Sequence, residues 1–287
     1  MENSNRILFV KGNGGLAKIH VQTAVSEAEI YLHGAHVTHF QRKGEAPLLF
    51  LSDKSRFEND QPIRGGVPVI FPWFGAKEGK PMHGFARTQN WELKEIVQNS
   101  CAVDLHFSLP ISPEAAEFPP FTAEYFVSVG EALVLELKVT NRSSEGFAFE
   151  NCLHTYFNIG DIHRVSVSGL KGVDYLDKVE GFARKKETNG QIKFSGETDR
   201  VYVKTRDTTE IHDAGLSRKI IIEKGGSNST VVWNPWIAKA KAMADFGDDE
   251  YLRMVCVESG NVSENSLVLS PGQSASLTVK LHSEFIA

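Results

Sequence analysis

The chain has 287 residues, of which 41% are hydrophobic and 23% are charged, and its formal net charge is -5. These values are typical of a soluble globular protein and argue against broad nucleic-acid binding, which requires a clustered basic surface. The chain starts without a secretory signal and has no run near the ~20 apolar residues that cross a membrane, so we predict a cytoplasmic location with no nucleic-acid or membrane partner.

Most of the sequence consists of short runs of β-branched and aromatic residues separated by turn formers such as Gly12–Gly15. In chain order the predicted strands are Ile7–Val10, Leu16–Val21, Glu29–Phe40, Ala102–Leu109, Thr122–Val129, Leu133–Asn141, Phe147–Phe157, Val165–Ser168, Arg200–Lys204, Lys219–Lys224, Thr230–Trp233, Tyr251–Val257, Leu267–Leu269 and Ala275–Ser283. Residues Ser276–His282 alternate in polarity, which predicts a strand with one solvated face. Met254–Val257 is apolar throughout and predicts a central strand.

Helical patterns are brief and are confined to Ser52–Phe57 and Ile237–Phe246. They are too few for an alternation of strands and helices, and no repeat or linker divides the chain. We therefore predict an all-β fold, a large antiparallel β-sandwich that forms a single domain over residues 1–287. The three cysteines are too few for a disulfide framework.

Three histidines, His33, His36 and His39, would share one side of a helix and so suggest a zinc site. The residues around them favour a strand instead, on which positions three apart point to opposite faces. The middle histidine would then point away from the other two, whereas zinc needs converging ligands. We therefore favour structural roles for these histidines and predict no metal site.

Cys152 and His154 raise the alternative of a cysteine nucleophile paired with a histidine. Two residues apart on one predicted strand, their side chains would leave the same face without pointing at each other. A free cysteine usually behaves as a small hydrophobic residue. We therefore favour a half-buried structural role for Cys152.

Four segments combine charged or titratable residues with aromatic residues and glycine more densely than the rest of the chain. They are Ile63–Gly75, His83–Arg87, Asn151–Phe157 and Val255–Asn261. Each has a plain structural interpretation, in which the arginines are surface charges, the histidine is a core residue and the glutamate is a solvated strand end. Together they favour one functional site, because buried charges require partners or a ligand.

These segments carry a resemblance to a known family. The strings IRGGVPVIFPWFG, HGFAR, LHTYF, ETDRVY and VCVESGNV occur in this order from Ile63 to Val262. They resemble the hexose-6-phosphate mutarotases, the glucose-6-phosphate 1-epimerase branch of the aldose 1-epimerase superfamily. GAHVTHF near the start and LSPGQSASLTVKL near the end extend the likeness over nearly the whole chain. The resemblance implies a galactose-mutarotase-like β-sandwich with its active site in a concave cleft.

The resemblance also implies roles for individual residues. The histidine of LHTYF, His154, is expected to act as the general acid, and the glutamate of VCVESGNV, Glu258, as the general base. The aspartate of ETDRVY, Asp199, is expected to bind a sugar hydroxyl and support the pair. The resemblance thus places a catalytic couple on segments that are far apart in the sequence.

The remaining implied roles concern substrate binding. Arg64 of IRGG and Arg87 of HGFAR are expected to hold the phosphate, and His83 is expected to line the sugar site. The two residues directly before His83 are Pro81 and Met82, which offer no polar side chain. A further substrate hydrogen bond from that loop is therefore not expected.

The chemistry requires these residue types. Anomerisation removes a proton from the C1 hydroxyl and delivers one to the ring oxygen, and the C1–O5 bond opens to an aldehyde that recloses after rotation. One carboxylate and one imidazole on opposite sides of that bond suffice, so we predict no cofactor. Glutamate, with an ordinary pKa of about 4.3, is already a base at neutral pH. We expect Asp199 and Glu258 to favour the protonated form of His154.

We predict a monomer that binds a small sugar phosphate, because arginine forks fit the oxygens of a dianion. Candidates for the aromatic wall of the site are Trp73, Phe74, Trp233 and Trp236. Two alternatives stay open at this point. An enzyme acting on unphosphorylated aldoses would make both arginines incidental, and a non-catalytic carbohydrate-binding β-sandwich would use the same aromatic residues.

Overall fold

The computed structural model describes residues 5–286. Its first twelve strands are β1 (Arg6–Lys11), β2 (Ala17–Gln22), β3 (Ser26–Tyr31), β4 (His36–Arg42), β5 (Val69–Ile70), β6 (Glu92–Gln98), β7 (Val103–Ser108), β8 (Phe121–Val129), β9 (Leu133–Asn141), β10 (Phe147–Phe149), β11 (Asn151–Leu153) and β12 (Tyr156–Asn158). The remaining strands are β13 (Val165–Ser168), β14 (Asp174–Asp177), β15 (Ala183–Lys186), β16 (Gln191–Lys193), β17 (Thr198–Val203), β18 (Thr209–Asp213), β19 (Arg218–Gly225), β20 (Ser229–Asn234), β21 (Met254–Asn261), β22 (Leu267–Leu269) and β23 (Ser274–Phe285). The α-helix α1 spans Trp236–Ala242. Short 3-10 helical turns lie at Asn13–Gly15, Ala86–Thr88, Ala115–Glu117, Ile162–Arg164, Glu250–Arg253 and Ser263–Asn265.

Two large sheets form most of the structure. One has nine strands in the order β16-β13-β18-β19-β23-β9-β8-β7-β6, and the other has eight, β15-β14-β17-β20-β21-β11-β5 with β12 also paired to β21. Neighbouring strands in both sheets run antiparallel. Strands β1 to β4 form a separate meander, and β10 pairs with β22. The predicted all-β antiparallel class is confirmed.

Strands such as β9 and β23 alternate between buried and more exposed residues, and buried side chains of both large sheets pack into one hydrophobic core. Along β9 every second residue is fully buried and the residues between them are half-buried over most of the strand, which is the pattern of a strand with one face on the core. Strand β23 repeats this alternation in its central part, which confirms the prediction for Ser276–His282. Leu135 and Leu137 of the nine-stranded sheet share one cluster with Val255 and Val257 of the eight-stranded sheet.

Strands β20 and β21 are buried at every residue. This confirms the central position predicted for Met254–Val257. Because side chains alternate along a strand, Cys256 and Glu258 leave β21 on the face opposite to Val255 and Val257. The eight-stranded sheet therefore presents Cys256 and Glu258 together on one face, where both are buried.

Two predicted strands are interrupted, so the prediction of continuous strands was wrong there. Glu29–Phe40 divides between β3 and β4, where Gly34 has a φ of 73° and a Cβ would lie 2.7 Å from the carbonyl oxygen of Arg87. Only glycine permits that approach. Phe147–Phe157 divides into β10, β11 and β12, and the last break leaves His154 outside regular strand structure.

The helix predicted at Ser52–Phe57 is wrong. The Ser52 hydroxyl donates to Glu250 Oε2 at 2.6 Å and the backbone N–H of Asp53 donates to Glu250 Oε1 at 2.8 Å, contacts that hold the segment as a turn. The helix predicted at Ile237–Phe246 is confirmed in its first part by α1. Among residues 5–286, no helix combines the length and apolar character needed to span a membrane.

The three histidines near the start occupy different surroundings. His33 Nε2 lies 2.8 Å from the carbonyl oxygen of Gln61, and His36 Nε2 lies 2.7 Å from that of Gly65. His39 faces the carboxylate of Glu27 at 3.6 Å. The turn at Gly34 separates His33 from His36 and His39, so the expectation of one continuous strand was wrong. Each of the three histidines makes a structural contact of its own.

Candidate active site

His154 and Glu258 meet on the eight-stranded sheet. Glu258 lies on β21, and His154 lies in the bend between β11 and β12, which both pair with β21. His154 Nε2 is 3.2 Å from Glu258 Oε1, and the two side chains are 10% and 1% exposed. The structure thus brings the two residues with expected catalytic roles into direct contact. They stand side by side, rather than facing each other across a gap.

Cysteine sulfur atoms flank the Glu258 carboxyl group. Cys152 Sγ donates to Glu258 Oε2 at 3.4 Å, and Cys152 is fully buried, not half-buried as expected. The Cys256 sulfur lies within 4.8 Å of ligand atoms of both His154 and Glu258. The carboxyl group is therefore buried, with a thiol and an imidazole among its close neighbours.

Burial controls the protonation of this couple. It raises the pKa of Glu258 well above the ordinary value, with Lys178 acting in the opposite direction and Asp199 in the same direction. Burial also lowers the pKa of His154, and His83, Arg87 and Arg64 lower it further. The expectation that carboxylates favour a protonated His154 was wrong here, because desolvation and positive neighbours outweigh them.

His83 is fixed by reciprocal hydrogen bonds with Gly75. Its backbone N–H donates to the carbonyl oxygen of Gly75 at 2.8 Å, and the N–H of Gly75 donates to His83 Nδ1 at 3.1 Å. Burial and then Arg87 lower the pKa of His83 to about 2, so the ring is neutral and carries its proton on Nε2. The His83 ring lies 5.6 Å from that of His154 and 4.7 Å from that of Phe74.

Gly84 allows the His83 segment to reach this position. It has a φ of 73°, and a Cβ there would lie 2.0 Å from the carbonyl oxygen of Phe71. Phe71 and Gly84 form a parallel bridge that only glycine can make at this distance. The bridge docks His83 and the following 3-10 turn with Arg87 against the segment that begins with Arg64.

The two arginines have different partners. Arg64 donates from Nε to Asp245 Oδ2 at 3.1 Å and from Nη1 to the Tyr156 hydroxyl at 3.0 Å, and its Nη2 lies 3.0 Å from Asp245 Oδ2 in the same ion pair. Arg87 is 8% exposed and donates to the carbonyl oxygen of Met82 at 2.7 Å. Its Nε is buried with no hydrogen-bond partner among residues 5–286. Burial, reinforced by Arg64, lowers the pKa of Arg87 to about 10.

Asp199 joins the site through strand register. It pairs with Trp233 of β20, which pairs with Cys256 of β21, so the three lie in one row across neighbouring strands. Lys178 Nζ lies 3.0 Å from Asp199 Oδ2 and 5.4 Å from the ring centre of Phe74. All six residues with expected functional roles therefore belong to one cluster.

Residues 18–282 match the model of the aldose 1-epimerase family. The chain belongs to the aldose 1-epimerase family. It is similar to a proposed glucose-6-phosphate 1-epimerase of Escherichia coli, with 40% identity over 84% of this chain and 82% of that protein. A crystal structure of a proposed mutarotase from Salmonella typhimurium is 32% identical and covers 97% of each chain with a TM-score of 0.87.

A further likeness concerns the fold. The structure of a galactose 1-epimerase from Lactobacillus acidophilus covers 99% of each chain with a TM-score of 0.74 at 12% identity. The galactose-mutarotase-like sandwich predicted from the sequence is confirmed. Membership of the aldose 1-epimerase family also confirms the prediction of an isomerase. A single domain over residues 1–287 stays a prediction.

Two of the four residues predicted to form the aromatic wall lie at the candidate active site of this aldose 1-epimerase family member. The Trp233 ring lies 6.1 Å from that of His154, and Phe74 contacts His83. Trp73 packs on Phe118 and donates to the carbonyl oxygen of Pro81 at 3.1 Å. The last candidate, Trp236, packs on Tyr251 with ring centres 5.4 Å apart.

Three residues of the site were not found from the sequence. Tyr156 stacks on His154 with ring centres 4.9 Å apart, and it lies within the LHTYF string that could have indicated it. Asp245 and Lys178 lie outside every string that carries the family resemblance. Lys178 follows β14, a polar strand that the sequence analysis did not predict.

Exposure increases from the inside of the site outward. The Glu258 and His154 side chains are almost fully buried, whereas those of Arg64 and Lys178 are 22% and 24% exposed. Arg64 and Lys178 are therefore more accessible than the buried couple, and their positive charges would attract an anionic ligand.

Proposed function

We propose that the protein interconverts the α and β anomers of glucose 6-phosphate and related hexose 6-phosphates by acid–base ring opening and reclosure. The observation that carries the proposal is the buried contact of 3.2 Å between His154 and Glu258 beside two arginines. The similarity to a proposed glucose-6-phosphate 1-epimerase supports the same substrate class.

In this mechanism Glu258 accepts the proton of the C1 hydroxyl while His154 donates a proton to the ring oxygen. The two sugar oxygens are bonded to the same carbon, so two neighbouring groups can each reach one of them. The C1–O5 bond then opens, the aldehyde rotates, and the two protons return as the ring closes. We assign Asp199 and His83 to the sugar hydroxyls, with Lys178 holding the Asp199 carboxylate in place.

Arg87 supports a phosphorylated substrate over a neutral sugar. It is a buried cation without a carboxylate within 4 Å among the described residues, and buried cations need a counter-charge. A phosphate between Arg87 and Arg64 would supply that charge. It would also offset the two arginines that lower the pKa of His154 and thereby favour the protonated imidazole that the reaction requires.

The test is an anomer-exchange measurement by nuclear magnetic resonance on α-glucose 6-phosphate and on α-glucose, with the spontaneous rate subtracted. We expect strong acceleration for the phosphate and a loss of about 10²- to 10⁴-fold in Glu258→Gln. Glu145→Gln changes an exposed carboxylate and serves as the control. Equal acceleration of both sugars would make the arginines incidental.

One further outcome completes the test. Sugar binding without any acceleration would contradict the proposal and indicate a non-catalytic carbohydrate-binding protein. The cytoplasmic location, the monomeric state and the absence of a cofactor stay predictions alongside it.

A further inference from the structure

Three buried donor atoms of different chemistry converge at the inner end of the site. One ligand atom each from His154, Cys256 and Glu258 lie within 4.8 Å of one another. Cys256 and Glu258 are two residues apart on β21 and so share a face of the sheet, while His154 reaches them from the bend after β11. The proposed reaction uses the histidine and the glutamate and leaves the thiol of Cys256 without a role.

We propose that His154, Cys256 and Glu258 form an inhibitory binding site for a thiophilic divalent cation such as Zn²⁺. Imidazole nitrogen, thiolate sulfur and carboxylate oxygen are the three ligand types that zinc takes from proteins. Three protein ligands leave a fourth position for water. The binding stands on its own geometry, and only the inhibition rests on the proposed function.

The distances suit a tetrahedral ion. Ordinary zinc–nitrogen, zinc–oxygen and zinc–sulfur bonds place neighbouring ligands about 3.3–3.7 Å apart. His154 Nε2 and Glu258 Oε1, at 3.2 Å, already have nearly that spacing. The sulfur lies within 4.8 Å of both atoms, so it must approach by at most about 1.3 Å to complete the set.

The charges also balance. Binding releases the thiol proton of Cys256, together with the proton of Glu258 where that group is protonated, to solvent, so the thiolate and the Glu258 carboxylate together match the two charges of the ion. Two nearby cations are already paired, Arg64 with Asp245 and Lys178 with Asp199, each at 3.0 Å. Arg87 is left as a positive neighbour, so we expect weaker binding than at a structural zinc site.

Occupation of this site blocks the proposed reaction. The ion takes the imidazole nitrogen and the carboxylate that the sugar requires, so inhibition should be competitive with the sugar phosphate. Hard cations such as Mg²⁺ and Ca²⁺ prefer all-oxygen ligands and should not inhibit. This difference separates a defined site from a general effect of divalent ions.

The experiment uses Zn²⁺ and Mg²⁺ in the anomer-exchange assay and Co²⁺ as a spectroscopic probe. We expect reversible inhibition by Zn²⁺ that a chelator relieves, no inhibition by Mg²⁺, and a near-ultraviolet thiolate-to-cobalt absorption band with Co²⁺. For each protein, inhibition is measured against its own rate without metal. Cys256→Ser should raise the Zn²⁺ concentration that halves this rate at least about tenfold, which corresponds to about 1.4 kcal/mol of binding free energy. Cys101→Ser removes an exposed thiol and should behave like the wild type.

Equal Zn²⁺ sensitivity of Cys256→Ser and the wild type, or the absence of the cobalt band from the wild type, would overturn the site. If Cys256→Ser does not fold, the thiolate-to-cobalt absorption band is measured in His154→Ala instead. Loss of the band in this variant supports the site, and its persistence contradicts it. The cobalt spectrum needs no turnover. A protein that binds Co²⁺ through Cys256 but accelerates no sugar would contradict the proposed function and leave this site intact.

Discussion

Asp245 occupies one side of the Arg64 guanidinium, with Oδ2 at 3.1 Å from Nε and 3.0 Å from Nη2. The Tyr156 hydroxyl accepts an N–H from Nη1. An arginine has five N–H donors, so at least one on each terminal nitrogen remains for a phosphate. A carboxylate thus holds Arg64 in place and, at the same time, repels the anion that the arginine is proposed to bind.

Substitution of Asp245→Asn should therefore lower the KM for glucose 6-phosphate several-fold. The amide keeps a hydrogen-bond acceptor for Arg64 and removes the negative charge, so the arginine attracts the phosphate more strongly. The KM for α-glucose should not change, because that sugar carries no anion. Steady-state kinetics on both sugars provide the measurement. A higher KM for glucose 6-phosphate would show instead that the ion pair is needed to place Arg64.

Lys178 should control the pH at which the enzyme loses activity in acid. Glu258 acts as the base only when it is ionised, and burial raises its pKa, so kcat/KM falls on acidification at a higher pH than for an exposed glutamate. Lys178 lowers that pKa. Lys178→Met should move the acidic limb of the pH profile, where kcat/KM falls, to higher pH and reduce kcat/KM several-fold near neutrality. Lys178→Arg keeps the positive charge and should leave this limb in place.

The pH profile of kcat/KM for glucose 6-phosphate in the three proteins is the measurement. A structural role for Lys178 would lower the rate equally at all pH values without moving the limb. An unmoved limb in Lys178→Met would therefore contradict the electrostatic role.

The sequence predicted the fold class and most of the buried strands, because alternating apolar residues mark a face that must be covered. It did not predict β6, β14, β15, β16 and β18, of which β6, β15 and β16 lie at the edges of their sheets. Strand β15, for instance, reads ARKK and is mostly exposed, so pairing with β14, and not burial of its own side chains, holds it in the sheet. Such strands have no strong pattern of their own.

The candidate site was predicted where its residues sit in dense, recognisable strings. His154 and Glu258 were found in this way, and strand pairing with β21 then brings them together. Asp245 could not be predicted, because its contact with Arg64 depends on the loop after α1, which Glu250 fixes by accepting the N–H of Gly247 at 2.7 Å. The lowered pKa of His154 was also missed, since desolvation depends on burial that a strand pattern does not measure.

Glu258 should reduce the stability of the folded protein above acidic pH. Its folded-state pKa is raised, so its contribution to the free energy of unfolding is complete below the unfolded-state pKa and is lost as the pH rises through the folded-state pKa. Glutamine does not titrate. The difference in Tm between Glu258→Gln and the wild type should therefore increase from pH 5 to pH 8. The increase should be about 2–4 °C for each kcal/mol by which ionisation of Glu258 lowers the free energy of unfolding of the wild type.

Thermal unfolding at both pH values tests this expectation, with Glu145→Gln as an exposed control. A difference in Tm that is the same at pH 5 and pH 8 would contradict it, because a purely steric effect of the substitution does not depend on pH.

Inorganic phosphate should activate the enzyme toward α-glucose. The neutral sugar leaves Arg87 without a counter-charge, and both Arg87 and Arg64 lower the pKa of His154, so little of the acid is protonated at neutral pH. A phosphate dianion bound between the arginines restores the missing charge without being part of the sugar. We expect a several-fold rise in kcat/KM on α-glucose, after subtraction of the rate that phosphate produces without enzyme. Sodium chloride at equal ionic strength is the control.

Arg87→Leu should abolish the activation, whereas Glu145→Gln should keep it. If phosphate only inhibited the turnover of α-glucose, the anion would occupy the sugar site itself, and the electrostatic link between the arginines and His154 would be wrong.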